Sequence, residues 1–237
     1  MPAIIDMHMH TVLGAYDSSL RPEHLASEAT RVGLSGVNIT EHDRLWDRHT
    51  LSSFRTDQTP LFVNNGMEVS TDMGHILAVG LPEYFPGIRR LAELRRIADE
   101  TGAFLIVAHP FRHFFEAAHF MRQGKKPPEL VPEILAKMPV FEYVHAIEAL
   151  NGVNTPRENL MALEVAKLLG KPVSGGSDCH STQGIGYYCT AFEEDIETPE
   201  DMLTALHAGR FHAAHGLASG DLTLLTETSL DDNYRAY

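Results

Sequence analysis

Thiols, basic charge and long apolar runs are all scarce in this chain, and each scarcity closes off a class of protein. Its two cysteines, Cys179 and Cys189, are too few for a disulfide scaffold or a zinc site of the finger type, and a reducing, cytoplasmic setting fits them best. Lysine and arginine number 19 against 32 acidic residues, a formal net charge of -13 that repels polyphosphate backbones at long range and argues against extended nucleic acid as a partner. A small phosphorylated substrate stays open, because bound divalent ions can reverse the local sign. No stretch approaches transmembrane length, and the start at Met1 lacks the basic residues and apolar run of a signal peptide, so no membrane partner is expected. Histidine, by contrast, is abundant, with 14 residues of a type used to bind metals and move protons near neutral pH.

A chain of 237 residues is within the range of a single α/β barrel domain, and no repeat, low-complexity tract or linker divides it. Short apolar runs at 3–6, 37–40, 61–68, 75–79, 104–108, 146–150 and 172–175 predict strands, and their continuity suits parallel strands covered on both faces. Helical patterns alternate with them at 22–32, 91–101, 156–169 and 199–208, each stopped by a glycine. The alternation predicts a (β/α) architecture. Residues 112–138 break the rhythm as a long, locally basic insertion, expected to be a solvated helix and turn, with a functional lid as the rival.

Asp6, His8 and His10 alternate in the run Asp6-Met7-His8-Met9-His10, which puts all three on one face of a strand. Two imidazoles from one strand end can share a cation, and Asp6 behind them can accept a ring N–H and fix the tautomer; a polar face turned to solvent is the rival reading. Asp178 and His180 repeat the spacing after Gly175-Gly176-Ser177, with Cys179 facing away. Glycine there lets the backbone approach a cluster, although a plain glycine turn also explains it. His42, Glu68 and His109 stand at the C-terminal ends of three predicted strands, the rim on which barrel enzymes build their sites. His75 stands at the start of its run, which that argument does not explain.

The segments DMHMH, ITEHD, GMEVS with GHILAVG, AHP and GSDCH follow one another over residues 6–180 in the order found in the PHP (polymerase and histidinol phosphatase) superfamily, which this chain resembles. The resemblance implies a distorted (β/α)7 barrel and three divalent ions, zinc, manganese or iron. It makes His8, His10, Glu68 and Asp178 ligands of one ion, with Glu68 bridging to a second held by His75 and His109, and Asp17, His42 and His180 ligands of the third. Asp17 takes its place through a short insertion at 12–16, and Glu41 stands where the family more often has Asp. A bridging carboxylate can hold two ions at the separation of roughly 3.5–4 Å used in two-metal hydrolysis.

The reaction so implied is hydrolysis of a small phosphomonoester by a metal-bound hydroxide, with Glu68, Asp178 and His180 as the catalytic set. The leaving group's proton donor stays open among Asp178, His180 and a metal-bound water. Arg112 is expected to clamp the phosphate and Asn151 to border the pocket, each set against a plain surface or strand-end role; Glu148 is weighed the same way. His113 and His145 read as structural, and Trp46 as packing under the His42 loop rather than stacking on a ring. The alternatives are a nucleotidase or phosphodiesterase on short nucleotides, a hydrolase of C–N bonds, and a non-catalytic barrel that uses its metals for stability.

Overall fold

Apolar side chains on both faces of the short strands demand cover on both sides, and the chain supplies it by folding helices around a curled sheet. The structure, a computed structural model, describes residues 2–57 and 60–225. In chain order the elements are β1 (Ile4–Met9), α1 (Pro22–Val32), β2 (Gly36–His42), α2 (Arg48–Asp57), β3 (Phe62–Thr71), β4 (Gly74–Val79), α3 (Leu91–Thr101), β5 (Phe104–Val107), α4 (Ala117–Arg122), α5 (Pro132–Leu135), α6 (Val140–Tyr143), β6 (Ala146–Asn151), α7 (Pro156–Leu169), β7 (Val173–Gly176), β8 (Tyr188–Phe192), α8 (Pro199–His207), β9 (Phe211–His215) and β10 (Thr223–Leu224). The fold is mixed α/β.

Among the described residues, all ten strands join one sheet in the order β10-β9-β8-β1-β2-β3-β4-β5-β6-β7. It curls until the segment after β7 returns to β1: Met9 bridges Cys179, the Asp178 N–H donates to the His8 carbonyl at 2.7 Å, and the His10 N–H donates to the Cys179 carbonyl at 3.0 Å. The expectation of parallel strands throughout needs correction. Pairs β1–β2, β2–β3, β5–β6 and β6–β7 are parallel, but β4 runs antiparallel to both neighbours, and β8, β9 and β10 form an antiparallel extension beside β1. Only the turn at Asp72 and Met73 separates β3 from β4, so no helix crosses over there and the strand must reverse.

Reversal of β4 brings its first residues to the rim where the parallel strands end. Ser70 pairs with His75, which places His75 beside the end of β3, and this answers why a histidine at the start of a run belongs with the others. The helices end as their sequences predict: in α1, Leu25, Ala26, Ala29 and Val32 are buried and Gly33 takes the left-handed backbone (φ 90°) that stops it. α7 and α8 open with capping boxes, Thr155 with Glu158 and Thr198 with Asp201. Residues 112–138 hold two short helices, α4 and α5, with mostly exposed side chains. The described helices include none long and apolar enough to cross a membrane.

Candidate metal centre

Strand direction assembles the rim. His8 comes from β1 and His10 follows it, His42 and Glu68 lie in β2 and β3, His75 is the second residue of β4, His109 follows β5, and Asp178 and His180 follow β7. The Glu68 carboxylate lies at the centre. One oxygen is 2.8 Å from His75 Nδ1, 3.1 Å from His109 Nε2 and 3.5 Å from His8 Nε2; the other is 2.8 Å from His42 Nδ1 and 3.3 Å from His10 Nε2. Asp178 stands opposite, 3.4 Å from His8 Nε2 and 3.2 Å from His10 Nε2. Asp17, on the loop after β1, is the most exposed of the nine, 3.5 Å from His180 Nε2 and 3.8 Å from His42 Nε2.

Burial and charge oppose one another throughout this cluster. Burial alone pushes the His8 imidazole down, but Asp178, Glu148 and Glu68 outweigh it and hold His8 well above its ordinary range. For His10, too, Asp178 and Glu68 overcome burial and raise the imidazole. Glu68 and Asp178 are held far below the carboxylate range: the surrounding imidazoles, His8 first, overcome a burial that works the other way. His109 is lowered by burial, with Arg112 adding to it, and His180 by burial and then His10. Carboxylates kept ionised in the interior call for positive charge close by.

The donor set fits cations. Nitrogens and oxygens sharing one ion through bonds of about 2.0–2.2 Å must sit roughly 3.0–3.5 Å apart, the edges of a coordination shell. His8 Nε2 and His10 Nε2 face each other at 3.1 Å, and Asp178 and Glu68 complete edges of 3.2 to 3.5 Å. One Glu68 oxygen is buried with no well-aligned hydrogen bond although His42 Nδ1 stands 2.8 Å away, a cost that coordination would remove. Donor atoms converge in three groups, His8-His10-Asp178, His8-Glu68-His109 and His10-His42-His180. Imidazole and carboxylate without thiolate suit zinc, manganese or iron, and burial pushes the Cys179 thiol far up, away from any ligand role.

Around the donors lies a shell that the sequence places less well. Asp6 does not accept a histidine ring N–H: its oxygens take the backbone N–H groups of Ser177 (2.8 Å), Gly186 (3.2 Å) and His8 (3.3 Å), and its burial raises it to about 6. Glu148 takes the role assigned to Asp6. One of its oxygens is 2.9 Å from His8 Nδ1, and the other accepts the His109 backbone N–H and the Asn151 amide, each at 2.9 Å. A carboxylate on Nδ1 leaves Nε2 facing the donor cluster. Asn151, expected at the pocket wall, is wholly buried one layer back, where its side chain binds Glu148, Asp178 and Arg112.

Arg112 is no surface arginine. It donates to Asp178, to Asn151 at 2.8 Å and to Asn154 at 3.2 Å, while lining a cavity of about 390 Å³ together with Asp17, His42, Glu68, His75, Asp178 and His180. The His180 Nδ1–H donates to the Asp178 carbonyl at 3.1 Å, which leaves Nε2 with a free lone pair. Trp46 is buried against Phe54 and donates to Glu41, which also binds Thr11, so neither side chain meets the cavity. His145, at the N-terminal end of β6, belongs to the opposite end of the sheet.

Close approach and backbone strain complete the site. A Cβ on Gly176 would lie 2.5 Å from the His8 Cβ and 2.9 Å from a Glu148 oxygen, so this glycine is there for proximity rather than for a turn. His109 and Asp178 hold positive φ, 30° and 52°, a conformation that costs non-glycine residues energy and concentrates at functional sites.

Similarities to known proteins agree with this fold. The PHP-associated family model matches residues 156–211. Over 154 residues, 62% of the chain, the sequence is 25% identical to the error-prone DNA polymerase of Cutibacterium acnes, of which the chain spans only 11%. Among solved structures, a candidate metal-dependent phosphoesterase from Bifidobacterium adolescentis superposes with a TM-score of 0.57 at 17% identity, covering 86% of this chain and 96% of that one. An amidohydrolase from Chromobacterium violaceum, with sulfate bound and no metal, superposes with a TM-score of 0.58 at 15% identity over 85% and 96% of the two chains. At such identities these likenesses speak for the fold alone.

Proposed function

We propose that the chain is a PHP-type metal-dependent phosphoesterase acting on a small phosphomonoester at a trinuclear centre of zinc, manganese or iron, set in a distorted (β/α)7 barrel. One observation carries the proposal: a single buried carboxylate, Glu68, stands within 3.5 Å of five imidazoles, while Asp178 faces it across the same cluster. Four donors, His8, His10, Glu68 and Asp178, would hold one ion; Glu68, His75 and His109 would hold a second; and Asp17, His42 and His180 would hold the third.

Bound divalent ions supply Lewis acidity, lowering the pKa of water and offsetting charge on phosphoryl oxygens. The protein's own residues do the rest. Arg112 presents a guanidinium, anchored from behind by Asp178, Asn151 and Asn154, to an anionic group in the cavity. Glu68 and Asp178, kept ionised, act as ligands rather than proton donors, and His180, with its Nδ1 proton given to a backbone carbonyl, offers Nε2 as a ligand too. An arginine at the cavity favours a phosphoester over a neutral amide. The charge of -13 favours a small substrate over extended nucleic acid.

Elemental analysis with a phosphoester panel, scored for phosphate against ammonia or amine release, tests this reading. His109→Ala is expected to lower metal content and phosphate release together, while His207→Ala, beyond the opposite end of the sheet, alters neither; equal losses in both variants refute the assignment.

A further inference from the structure

The end of the sheet away from the metal centre holds a cavity of about 480 Å³, where the N-terminal ends of β5 and β6 and the approach to β7 meet α3 and α8. Its volume is in the range of small-molecule sites, roughly 300–1,000 Å³. None of its residues takes part in the proposed function. In a chain of net charge -13, its walls gather Arg95, His145, Lys171 and His207 against a single carboxylate among the described residues, the exposed Glu142.

Three successive residues fix how the positive groups are presented. Arg95 donates from Nη1 to the Tyr143 carbonyl at 3.2 Å and from Nε to Asp99 at 2.9 Å. Lys171 gives one ammonium proton to the next carbonyl, Val144, at 2.6 Å, and keeps two. His145 follows, and its Nδ1 accepts the Leu105 N–H at 2.9 Å, so the neutral ring carries its proton on Nε2. Phe104 stacks on that ring with centroids 4.8 Å apart and planes 21° from parallel. Among the described residues, neither Arg95 Nη2 nor the His145 Nε2–H has an acceptor. His207 stands edge-on to His145 at 5.5 Å and spends its own Nε2 proton on the Gly102 carbonyl.

Positive charge is left over here. Burial and then Arg95 and His207 lower His145 to about 4, with Lys171 adding to them and Asp99 opposing; burial and then Arg95 lower Lys171. Cations that repel one another around a partly enclosed space are relieved by an anion placed among them, and guanidinium, ammonium and imidazole N–H groups are strong donors to oxyanions. We propose that this cavity is an anion site, separate from the metal centre, which binds a small molecule through a phosphate or carboxylate group held by Arg95, Lys171 and the Nε2–H of His145.

Sulfate and succinate, one tetrahedral probe and one carboxylate probe, are titrated into the zinc-loaded protein near pH 7 with chloride holding the ionic strength constant. The ring signals of His145 and His207 in NMR spectra report on this cavity, so anions taken up at the metal centre do not count. At least one probe is expected to shift both rings saturably, and the tighter one names the class of acid group. Arg95→Gln and Lys171→Gln, each checked for an unchanged fold by circular dichroism, are expected to weaken that binding by about tenfold, while Arg112→Ala, at the other end of the sheet, binds as wild type does. Shifts no larger than chloride alone produces, unchanged affinity in both cavity variants, or an equal loss in Arg112→Ala would overturn the site. Phosphate release in the phosphoester panel reads the metal centre instead, so the two proposals fail separately.

Discussion

Replacing Glu148 with Gln is the sharpest test of how the metal centre is held. The carboxylate accepts on both oxygens, from His8 Nδ1 on one side and from the His109 backbone N–H and the Asn151 amide on the other, each at 2.9 Å. Glutamine keeps the size but has one acceptor and one donor, so whichever way its amide turns, a donor meets a donor. If the NH2 faces His8, the imidazole must move its proton to Nε2, the atom that faces His10, Glu68 and Asp178; if it faces His109, a buried backbone N–H loses its acceptor, at about 1–3 kcal/mol. Loss of a carboxylate behind a metal-binding histidine typically costs 10–100-fold in metal affinity, about 1.4–2.7 kcal/mol. Competition with a calibrated chelator reads the affinity, and circular dichroism confirms that the variant folds. A folded Glu148→Gln protein with wild-type metal affinity would refute the idea that Glu148 orients His8.

Removal of metal by a chelator is expected to lower the melting temperature by on the order of 10 °C, since saturation at a thousand times Kd adds about 4 kcal/mol and each kcal/mol shifts a chain of this size by ~2–4 °C; an unchanged melting curve in scanning calorimetry would count against cations at the buried carboxylates. Gly176→Ala pushes a methyl to within 2.5 Å of the His8 Cβ and 2.9 Å of Glu148, so it is expected to lower metal content at least as much as Glu148→Gln, measured by elemental analysis. Away from the centre, burial, and then Arg95 and His207, lower His145 to about 4, with Lys171 adding to them and Asp99 opposing. The unfolded chain therefore takes up a proton that the folded chain refuses, and stability falls as pH drops from about 6.5 to about 4, by ~1–2 kcal/mol once solvent screening is allowed for. His145→Asn, whose side-chain oxygen can still accept the Leu105 N–H, is expected to flatten that stretch of the stability profile in denaturant titrations; a slope equal to wild type would refute it.

How much of the site is legible in the sequence depends on how local the determining physics is. His8 and His10 share a face because side chains alternate along a strand, a rule that acts within one element, and His42, Glu68 and His109 share a rim because parallel strands end together, a rule that needs only a common strand direction. Strand direction is not local, and His75 shows the consequence. An apolar run reads the same in either direction, and only the pairing of Thr71 with Gly74 around Asp72 and Met73 reveals the reversal that carries His75 to the rim. The short runs 188–192 and 211–215 are strands that local pattern does not mark: they pair with each other, and 188–192 with β1, only once the sheet exists. Partner choice among carboxylates is likewise a property of the closed sheet. Asp6 is nearest to His8 in sequence, yet closure of β7 against β1 brings the Ser177 N–H to Asp6 and opens the far side of His8 to Glu148, 140 residues away. Backbone N–H groups of an irregular segment lack a strand partner, so Asp6 is taken up by the chain, while Glu148 accepts the His109 N–H on one oxygen and keeps the other for His8.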